Sequence, residues 1–552
     1  MKNIYIFLLG VITTSSASSN NRTFEAIRRA NRRANAKIIR TTTATQQAAQ
    51  PLAIQLNNGD EQRFADKRGS FSKSLKTKDD GLVYVPAFNQ MVCALQTGNP
   101  YDFNKITMGT SPVDRRLANP QAAFAYNLAG PDSWLYTMPP TPSVCSAETA
   151  GEMVELYWHA LLRDVFFNDY DTDPDAADAV TDLNNLSNFK GPKINGRVTP
   201  QTLFRGTLPG DTIGPLVSQF LYLPIPYGPH PNYEGQYQEH IVPEANSPSV
   251  LNDFGTTFAE WLSLQRGESP ADSITYTMDK TFIRNARDLG DYVHQDYPMQ
   301  TYINAALILL NFGSAALDKN NPYITNPTQG AFTTYGTPDI IYMISVAVEV
   351  ALRTAWYQKW IVHRRLRPEY FGFLVDQQIR GVKNFCLHSD VINSDAVTEI
   401  LSEYGSYFLP LAYPEGSPTH PSYPAGHAVA AGAGVTILKA FFNEAFVFPK
   451  TVRPSAANDD LEEFTAPQLT VGNELNKLAS NIAQGRNYAG VHYRSDGIEG
   501  ILLGEKVAIS LLQDEAFTSN IPFKGYSLTK FNGTKITVGP KKYVKQLRYC
   551  RS

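Results

Sequence analysis

The sequence predicts an all-α protein whose C-terminal half is a bundle of long helices joined by long loops. After Asp288 the apolar residues recur with helical spacing, and strand-like alternation of period two is sparse. From Leu82 to about Gly255 the chain is dense in Pro, Gly, Asn and Asp between short apolar runs, which favours helices separated by ordered loops. No repeat of fixed period is visible, and this argues against a solenoid or a propeller.

Residues 1–18 at the start of the chain are interpreted as a secretory signal. They combine an early lysine, the apolar run Ile4–Ile12 and the small residues Ser16-Ala17-Ser18. The apolar run is much shorter than the roughly 18 to 20 residues of a bilayer span, and no other stretch is long and uninterrupted enough to be one. We therefore expect a soluble, secreted protein of the extracellular space or cell wall, without a membrane partner. The alternative is an organelle transit peptide, because the following segment is rich in Ser, Thr and Arg and has only Glu25 as an acid.

The rest of the chain is divided into three parts. Residues 19–85 form a basic arm and a linker, in which Thr41–Gln50 is rich in Thr, Gln and Ala. A solvated helix or a disordered arm is expected here, in preference to a functional basic patch. Residues 86–535 form the main domain, with the candidate catalytic half at 285–515, and residues 536–552 form a basic tail.

Four apolar or periodic stretches supply the helices of the predicted bundle. Met299–Phe312 is mostly apolar with small residues, which is typical of a buried helix. Asp339–Leu366 is a second long helix, which Pro368 ends because proline lacks an amide donor. Pro424–Phe442 is a third, rich in Ala and Gly for close helix contact, and Leu475–Leu512 supplies a fourth and a fifth. The core of such a bundle can hold a site built from facing helices.

Composition and cysteine usage limit the class of protein. The chain has 552 residues, so one large core or two fused cores are expected, and a net charge of -3 gives no electrostatic case for a nucleic-acid partner. The cysteines are even in number and none has CxxC spacing, so a zinc site is not expected. One or two disulfides suit an oxidising compartment, but the pairing stays open. The sequence contains the four cysteines Cys93, Cys145, Cys386 and Cys550, and glycosylation sequons at Asn21, Asn185 and Asn532.

A first cluster of chemistry-bearing residues lies at the end of the second predicted helix. It consists of Trp356, Lys359, His363 and Arg367. At about 100° per residue these side chains fall within about 80° of one another, so one helix face presents an aromatic ring, two cations and an imidazole. A solvated basic face is the alternative interpretation.

Two further clusters combine histidine with an anion-binding element or a carboxylate. In Ser417–His427 a proline-rich loop leads to Gly426-His427 at a helix N-terminus, where free amides and the helix dipole favour an anion. His420, in that loop, is a second candidate for proton transfer. In Gly485–Asp496 the residues His492 and Asp496 are four apart, hence neighbours on one helix face, so the carboxylate can orient the imidazole.

Lys359, Arg367 and Arg486 together predict an oxyanion. Three buried cations without counter-charge would each cost several kcal/mol, so the site requires a multiply charged tetrahedral anion such as phosphate, sulfate or vanadate. Arginine forks match the oxygens of such an anion. The residues alone therefore indicate an oxyanion, one histidine close enough to bond its central atom, and another placed for proton transfer.

The spacing of these motifs resembles that of a known superfamily. Lys-x7-Arg-Pro, Pro-x-Gly-His and Arg-x5-His-x3-Asp are similar to the signature shared by vanadium haloperoxidases and type 2 phosphatidic-acid phosphatases. The resemblance covers roughly residues 210–535. Seven residues between Lys359 and Arg367, and histidine at position 420, favour the bromoperoxidase branch over phosphatases and fungal chloroperoxidases. Wider stretches that resemble the algal vanadium bromoperoxidases are Gly214–Leu221, Tyr292–Asp296, Gln358–Glu369 and Gly485–Asp496.

This resemblance implies a fold, a reaction and its participants. The fold is that of the vanadium haloperoxidases and related acid phosphatases, with two four-helix bundles. The cofactor is vanadate, and hydrogen peroxide oxidises bromide or iodide to hypohalous acid, which halogenates small organic acceptors. A homo-oligomer is expected, and some relatives carry a structural calcium ion. The resemblance implies that His492 is the vanadium ligand and that the equatorial oxygens are held by Lys359, Arg367, Arg486 and the Gly426 amide. It implies that His427 is the acid/base, with Lys359 and His420 as further catalytic residues. It also places Trp356 and His420 on the halide side, pairs Asp296 with Arg486, and places Asp496 beside His492.

One residue departs from the family pattern. The family has serine before Gly426-His427, with its hydroxyl on the oxyanion, whereas this chain has Ala425 in that cofactor-binding position. Loss of such a bond removes about 1.5 to 3 kcal/mol, so we expect roughly ten- to a hundredfold weaker vanadate retention. Two alternatives stay open: a phosphatase with His492 as nucleophile, and an inactive secreted relative.

Overall fold

Helices account for most of the ordered secondary structure in the computed structural model. The structure describes residues 17–226, 236, 238–241, 253–465 and 467–539. Short 3₁₀ turns lie at Pro120–Phe124, Gln219–Leu221 and Ser314–Ala316. The α-helices are α1 (Ala17–Ala48), α2 (Asp60–Arg63), α3 (Val85–Thr97), α4 (Pro100–Phe103), α5 (Ala147–Leu161), α6 (Pro174–Asn185), α7 (Phe258–Arg266), α8 (Ala286–Tyr292), α9 (Gln300–Asn311), α10 (Thr337–Tyr357), α11 (Pro368–Ile379), α12 (Ser389–Ile392), α13 (Asp395–Tyr404), α14 (Gly426–Phe441), α15 (Val471–Tyr488) and α16 (Arg494–Glu515).

The strands within the described residues form only small antiparallel pairs. Each sheet has two strands, paired as β1 with β2, β3 with β4 and β5 with β6. In the last hairpin Tyr526 faces Val538, so residues up to 538 belong to the folded body and not to the predicted basic tail. The strands are β1 (Gln238–Ile241), β2 (Tyr276–Thr281), β3 (Val452–Pro454), β4 (Leu461–Glu463), β5 (Tyr526–Thr529) and β6 (Lys535–Val538).

The core of the catalytic half is built on α14, which packs against α10, α15 and α16. Nearly all of α14 is buried, and its small residues bring backbones together. A Cβ atom at Gly432 would lie 2.1 Å from the Ile501 carbonyl oxygen, and one at Gly504 would lie 2.2 Å from that of Val429. Glycine is therefore required where α14 and α16 cross. The all-α bundle with long loops is confirmed.

The N-terminal region differs from the predicted division. Helix α1 runs through Ala48, so most of the expected linker is helical, and its described side chains are largely exposed. It belongs to a compact unit separate from the one that begins at Ala53. Phe71 and Val83 lie in the main core, so the folded body includes residues assigned to the arm. Residues 1–16, and with them most of the proposed signal, lie outside the described residues.

Helix α10 ends before the point predicted from the sequence. It continues into a π-helical turn at Gln358–His363, and Arg364 then adopts a left-handed conformation with φ 41°. Pro368 does not end this helix but begins α11, because proline suits the first helical position. The segment Thr337–His363 is long and apolar enough, by length and composition, to cross a membrane. Half of its most apolar stretch is buried inside the protein. This differs from the sequence-based expectation that no stretch is long and uninterrupted enough to be a bilayer span.

The structure pairs two cysteines that the sequence left unassigned. Cys145, just before α5, forms a disulfide with Cys386 in the loop after α11. Cys93 is exposed and forms no disulfide with another described cysteine, and Cys550 lies outside the described residues.

Candidate active site

Lys359, Arg367 and Arg486 come together in the bundle although they lie on different elements. Lys359 is in the π-helical turn, Arg367 caps the N-terminus of α11, and Arg486 is in the last turn of α15. All three are at most 3% exposed. Burial, and then the charge of Arg367, lower the pKa of Lys359 well below its usual range. Burial also lowers the pKa of Arg367, to about 9, with Asp496 opposing this change and Arg486 adding to it.

These three cations meet no carboxylate within salt-bridge distance in the described part of the chain. Lys359 Nζ donates to the carbonyls of Pro421 (2.7 Å) and Ser422 (2.9 Å). Arg486 Nη1 donates to the Val293 carbonyl (2.7 Å), and its Nε is buried without a partner. Buried like charges without counter-charge are costly, so this arrangement fits an anion with several oxygens.

His492 faces the cations with one nitrogen and a carboxylate with the other. Its Nδ1 lies 2.9 Å from Asp496 Oδ2, and its Nε2 lies 3.0 Å from Arg367 Nη1. Arginine can only donate, so Nε2 accepts and the proton lies on Nδ1. Burial, Arg367 and Lys359 keep the pKa of His492 well below its usual range. His492 is therefore a neutral imidazole whose Nε2 lone pair points to the cationic side.

The N-terminus of α14 supplies amide donors and a second histidine. Ala425 is the N-cap and has no side-chain hydrogen bond to the helix, so the first-turn amides, including Gly426, have no partner within it. His427 Nε2 lies 2.8 Å from Asp296 Oδ1. Burial and the charge of Arg486 lower the pKa of His427, and the bond to Asp296 partly opposes this.

His420 and Trp356 lie side by side next to Arg367. Their ring centroids are 4.9 Å apart. His420 Nδ1 is 3.0 Å from Arg367 Nη2 and 3.2 Å from the Pro421 carbonyl. The shorter contact, with a group that can only donate, makes Nδ1 the acceptor, so the proton lies on Nε2. Burial and the charge of Lys359 keep the pKa of His420 well below its usual range.

Three geometric expectations drawn from the sequence are wrong, and the first is the shared helix face of Lys359, His363 and Arg367. Arg367 does not share a helix face with Lys359, because the chain leaves the helix at Arg364. His363 is in the same turn but packs its ring against Tyr423 at 4.7 Å, and neither of its nitrogens has a partner. It is a core residue and does not contact the cations through a hydrogen bond.

The other two corrections concern carboxylates. His492 and Asp496 do meet, but His492 precedes α16, and Asp496 reaches back from the third position of that helix to the Tyr493 amide (3.1 Å). Asp296 forms its hydrogen bond with His427 and not with Arg486. Burial raises the pKa of Asp296, but the hydrogen bond and charge of His427, and then the charge of Arg486, lower it below its usual range. Arg486 therefore acts on Asp296 only through its charge.

Sequence reasoning missed residues that support the site. The Ser422 hydroxyl forms a very short hydrogen bond to Asp496 Oδ2. The Arg365 guanidinium donates to Asp496 Oδ1 at 2.7 Å. The Tyr413 ring lies 5.0 Å below the Arg486 guanidinium. In the sequence these residues are marked only by their position inside or beside the motifs given above. That position does not show which residues they contact.

Comparison with known proteins identifies the family. Residues 339–517 match a family model described as the VCPO second helical-bundle domain. The vanadium-dependent bromoperoxidase of Ascophyllum nodosum is 35% identical over 489 residues, which cover 84% of this chain and 85% of that protein. The chain belongs to the vanadium-dependent bromoperoxidase family. A second vanadium-dependent bromoperoxidase, from Corallina pilulifera, is 32% identical over 543 residues, covering 85% of this chain and 90% of that protein.

A solved structure extends the likeness to the whole fold. The homohexameric second vanadate-dependent bromoperoxidase of Ascophyllum nodosum matches with a TM-score of 0.85 at 30% identity, covering 92% of this chain and 90% of that chain. The bromoperoxidase resemblance, the fold class and the enzyme class of vanadium-dependent haloperoxidase predicted from the sequence are therefore confirmed. Within the described residues no group of three or more His, Cys, Asp or Glu side chains could hold a metal ion.

Proposed function

We propose that this bromoperoxidase-family chain holds vanadate among Lys359, Arg367, Arg486 and His492 and oxidises bromide, or iodide, with hydrogen peroxide. The observation that carries the proposal is a set of three buried cations beside the Nε2 lone pair of a neutral histidine. Among the described residues, none of the three has a carboxylate within salt-bridge distance. A structural protein has no reason to keep such a costly arrangement.

The donors fit an oxyanion on every side. His492 Nε2 is the nitrogen that would bond vanadium, and the three cations with the Gly426 amide would hold the oxygens. When bound, vanadate supplies a Lewis acid that makes hydrogen peroxide an electrophilic two-electron oxidant for halide. The protein contributes charge already in place, so no reorganisation is needed as negative charge shifts onto the oxygens.

His427 is the group that moves protons at this site. With Nε2–H donating to Asp296 Oδ1, its Nδ1 is the nitrogen left to accept a proton from hydrogen peroxide and to return it. Burial and Arg486 lower the pKa of His427, which keeps the ring neutral and able to act as a base near neutral pH. Asp296 then stabilises the ring when it carries the second proton.

His420 and Trp356 form the side at which we place the halide. Because Arg367 holds His420 Nδ1, the Nε2–H group is a donor free to hydrogen-bond a halide ion. The Trp356 ring beside it keeps this side partly apolar. A weakly hydrated anion such as bromide or iodide loses less hydration there than chloride does.

The function is tested with the full chain prepared without vanadate and then titrated with it. We expect vanadate-dependent bromination of a small activated acceptor by bromide and peroxide, and no hydrolysis of a phosphate monoester under the same conditions. His492→Ala is expected to lose vanadate binding and bromination together, whereas His388→Ala, a partly exposed histidine outside the site, keeps both. Phosphate-ester hydrolysis without bromination would assign a phosphatase, and neither activity would assign an inactive relative.

We also propose that the chain is a secreted homo-oligomer. The homohexameric relative supports the assembly. The Cys145–Cys386 disulfide and the exposed sequon residues Asn185 and Asn532 support an oxidising, secretory route. Light scattering on the purified protein tests the assembly, and N-terminal sequencing of native protein tests removal of the signal. A monomer, or an intact Met1, would contradict the respective proposal.

A further inference from the structure

Arg365 is a buried arginine that the roles described above do not use. It lies two residues before Arg367 and is 2% exposed. Its Nη1 donates to Asp496 Oδ1 (2.7 Å) and to Ser495 Oγ (2.9 Å), and its Nη2 donates to Glu152 Oε2 (2.8 Å). Burial alone would lower its pKa, but Glu152 and then Asp496 raise it above the usual range, so the group is a permanent cation.

The contacts of Arg365 converge on the first turn of α16. Its guanidinium carbon lies 3.8 Å from the ring centroid of Tyr493. Glu152, its partner on α5, accepts the Ser495 amide at 2.6 Å and so completes a closed ring of bonds. Tyr493, Ser495 and Asp496 are all residues that directly follow His492. The arginine therefore holds the stretch of backbone that begins at the vanadium ligand.

We propose that Arg365 is a positioning residue that orients His492 toward vanadate by fixing the Asp496 carboxylate. The inference rests on the function proposed above. Asp496 uses Oδ2 for His492 Nδ1 and Oδ1 for Arg365. The two bonds on opposite oxygens fix the rotation of the carboxylate, and the Ser422 hydroxyl and the Tyr493 amide, both on Oδ2, add two further restraints. Arg365 provides the bond on Oδ1. Without it the carboxylate is less firmly held, and the imidazole is less firmly bound to one of the two partners, Asp496 and Arg367, that set its tautomer.

The neighbouring Arg364 provides a matched control. It is also a buried arginine, 8% exposed, and it also forms an ion pair, with Glu61 at 2.7 Å. Glu61 lies in α2 and makes no hydrogen bond to the residues of the site within the described structure. A substitution here removes a comparable fork and ion pair without touching Asp496.

The first experiment compares vanadate affinity in Arg365→Lys and Arg364→Lys, measured by equilibrium dialysis of the full-length protein. Lysine keeps the charge but cannot bridge Asp496, Ser495 and Glu152 at once. We expect the dissociation constant to rise by roughly 10- to 100-fold in Arg365→Lys, the usual effect of losing an outer partner of a metal ligand. Arg364→Lys is expected to match wild type in affinity even where its melting temperature falls. Equal affinities in the two variants would overturn the proposal.

A double-mutant cycle shows whether Arg365 acts through Asp496. If it does, Arg365→Lys combined with Asp496→Asn binds vanadate no more weakly than the worse single variant. Additive losses would mean that Arg365 acts by another route, and the proposal would fail. Should Arg365→Lys not fold, Ser495→Ala removes one bond of the same arginine. We expect that variant to bind vanadate severalfold more weakly, and unchanged binding would overturn the proposal.

A readout without vanadate separates this inference from the proposed function. Nitrogen NMR of ¹⁵N-histidine-labelled protein, without cofactor, reports which nitrogen of His492 carries the proton. We expect Nδ1–H in wild type and in Arg364→Lys, and a mixture of tautomers in Arg365→Lys. A single Nδ1–H tautomer in Arg365→Lys would overturn the positioning role. If wild type shows Nδ1–H and the mixture appears in the variant while no form binds vanadate, the positioning role stands and the proposed function fails.

Discussion

Ala425 stands where the motif resemblance implies a serine. The structure places it at the N-cap of α14, with its amide donating to the Asp496 carbonyl at 3.0 Å and its side chain fully buried. A serine hydroxyl at this position would donate to an oxyanion and would accept from a first-turn amide of α14. Alanine makes neither interaction, so one missing oxygen atom affects both cofactor binding and the stability of the helix.

Ala425→Ser is accordingly expected to strengthen vanadate binding and to stabilise α14. The added charge-assisted bond should lower the vanadate dissociation constant by roughly ten- to a hundredfold, on the order of 1 to 3 kcal/mol. The new cap should add about 1 kcal/mol to the free energy of unfolding. Both are measured on wild type and variant, by vanadate titration and by denaturant unfolding without vanadate. An unchanged titration midpoint would show that residue 425 does not face the oxyanion.

His427→Ala should separate binding of vanadate from catalysis. The three cations, the Gly426 amide and His492 remain, so vanadate is retained, while loss of the proton carrier should lower turnover by roughly 10²- to 10⁴-fold. Bromination is measured at saturating vanadate and peroxide, with vanadate content determined on the same samples. Turnover equal to wild type would transfer the proton role to another group, with His420 the nearest candidate.

Asp211 makes a pH dependence of stability measurable away from the site. It is 2% exposed, its Oδ2 accepts from Ser480 and the Leu208 amide, and its Oδ1 has no partner. Burial raises its pKa to about 7, whereas an unfolded aspartate titrates near 4. Between these values the folded protein binds more protons than the unfolded chain. The free energy of unfolding therefore falls as pH rises from about 4 to 7.

Asp211→Asn should remove this contribution, since an amide does not titrate. Relative to wild type, the variant is expected to gain on the order of 2 to 4 kcal/mol between pH 4.5 and pH 7.5, at about 1.4 kcal/mol per pKa unit. Denaturant unfolding of both proteins at the two pH values measures the difference, and all other titrating groups cancel. A difference independent of pH would contradict the raised pKa.

At the scale of elements, the crossing of α14 and α16 holds the two halves of the site together. Helix α14 carries Gly426 and His427 at its N-terminus, and α16 carries Asp496 in its first turn. The Ala425 amide bonds to the Asp496 carbonyl, so the two N-termini meet directly. This contact depends on the glycines at the crossing, because any side chain there would push the backbones apart.

Gly504→Ala is expected to destabilise the protein by at least about 3 kcal/mol, the upper end of overpacking effects, despite alanine's better helix propensity. The new Cβ would lie 2.2 Å from the Val429 carbonyl oxygen, which cannot move without its helix. Gly290→Ala in α8 is the control, since its Cβ would meet nothing nearer than 3.5 Å. Thermal unfolding of the two variants distinguishes them, and equal melting temperatures would contradict the close crossing.

At the scale of the whole molecule, the disulfide ties distant parts of the chain. Cys145 and Cys386 are separated by 241 residues, so the bond closes a very long loop in the unfolded chain. It joins the residues just before α5 to the loop after α11. Helix α5 carries Glu152, and α11 begins at Pro368, directly after Arg367. The link therefore spans two helices that contribute to the surroundings of the site.

Replacing both cysteines, Cys145→Ser with Cys386→Ser, is expected to lower the free energy of unfolding by about 2 to 4 kcal/mol. Cys93→Ser, at an exposed cysteine without a disulfide partner among the described residues, is expected to change nothing measurable. Unfolding with and without a reducing agent provides the check: the reductant should destabilise wild type and Cys93→Ser but not the double variant. Equal sensitivity in all three would mean that the bond does not form in solution.

Much of the fold and site followed from the sequence, because local spacing determines local structure. Helical periodicity predicted α9 and α14 to within two residues of their ends, and it predicted a stretch of two helices where α15 and α16 lie but not the break between them. A proline-rich loop before Gly426-His427 predicted an anion-binding helix N-terminus, and the motif spacing identified the family. Each of these inferences uses residues close together in the chain, where backbone geometry leaves few alternatives.

The tertiary structure decided which side chains meet across the chain. His427 finds Asp296 131 residues away, and Arg365 finds Glu152 213 residues away. Where the chain leaves the helix, Arg364 and Arg365 pair with carboxylates of distant elements: Glu61, Asp496 and Glu152. The spacing of residues in the sequence does not predict such pairs, because helix packing determines the distance between their side chains. The residue types predict a site for an oxyanion, and helix packing decides which side chains meet there.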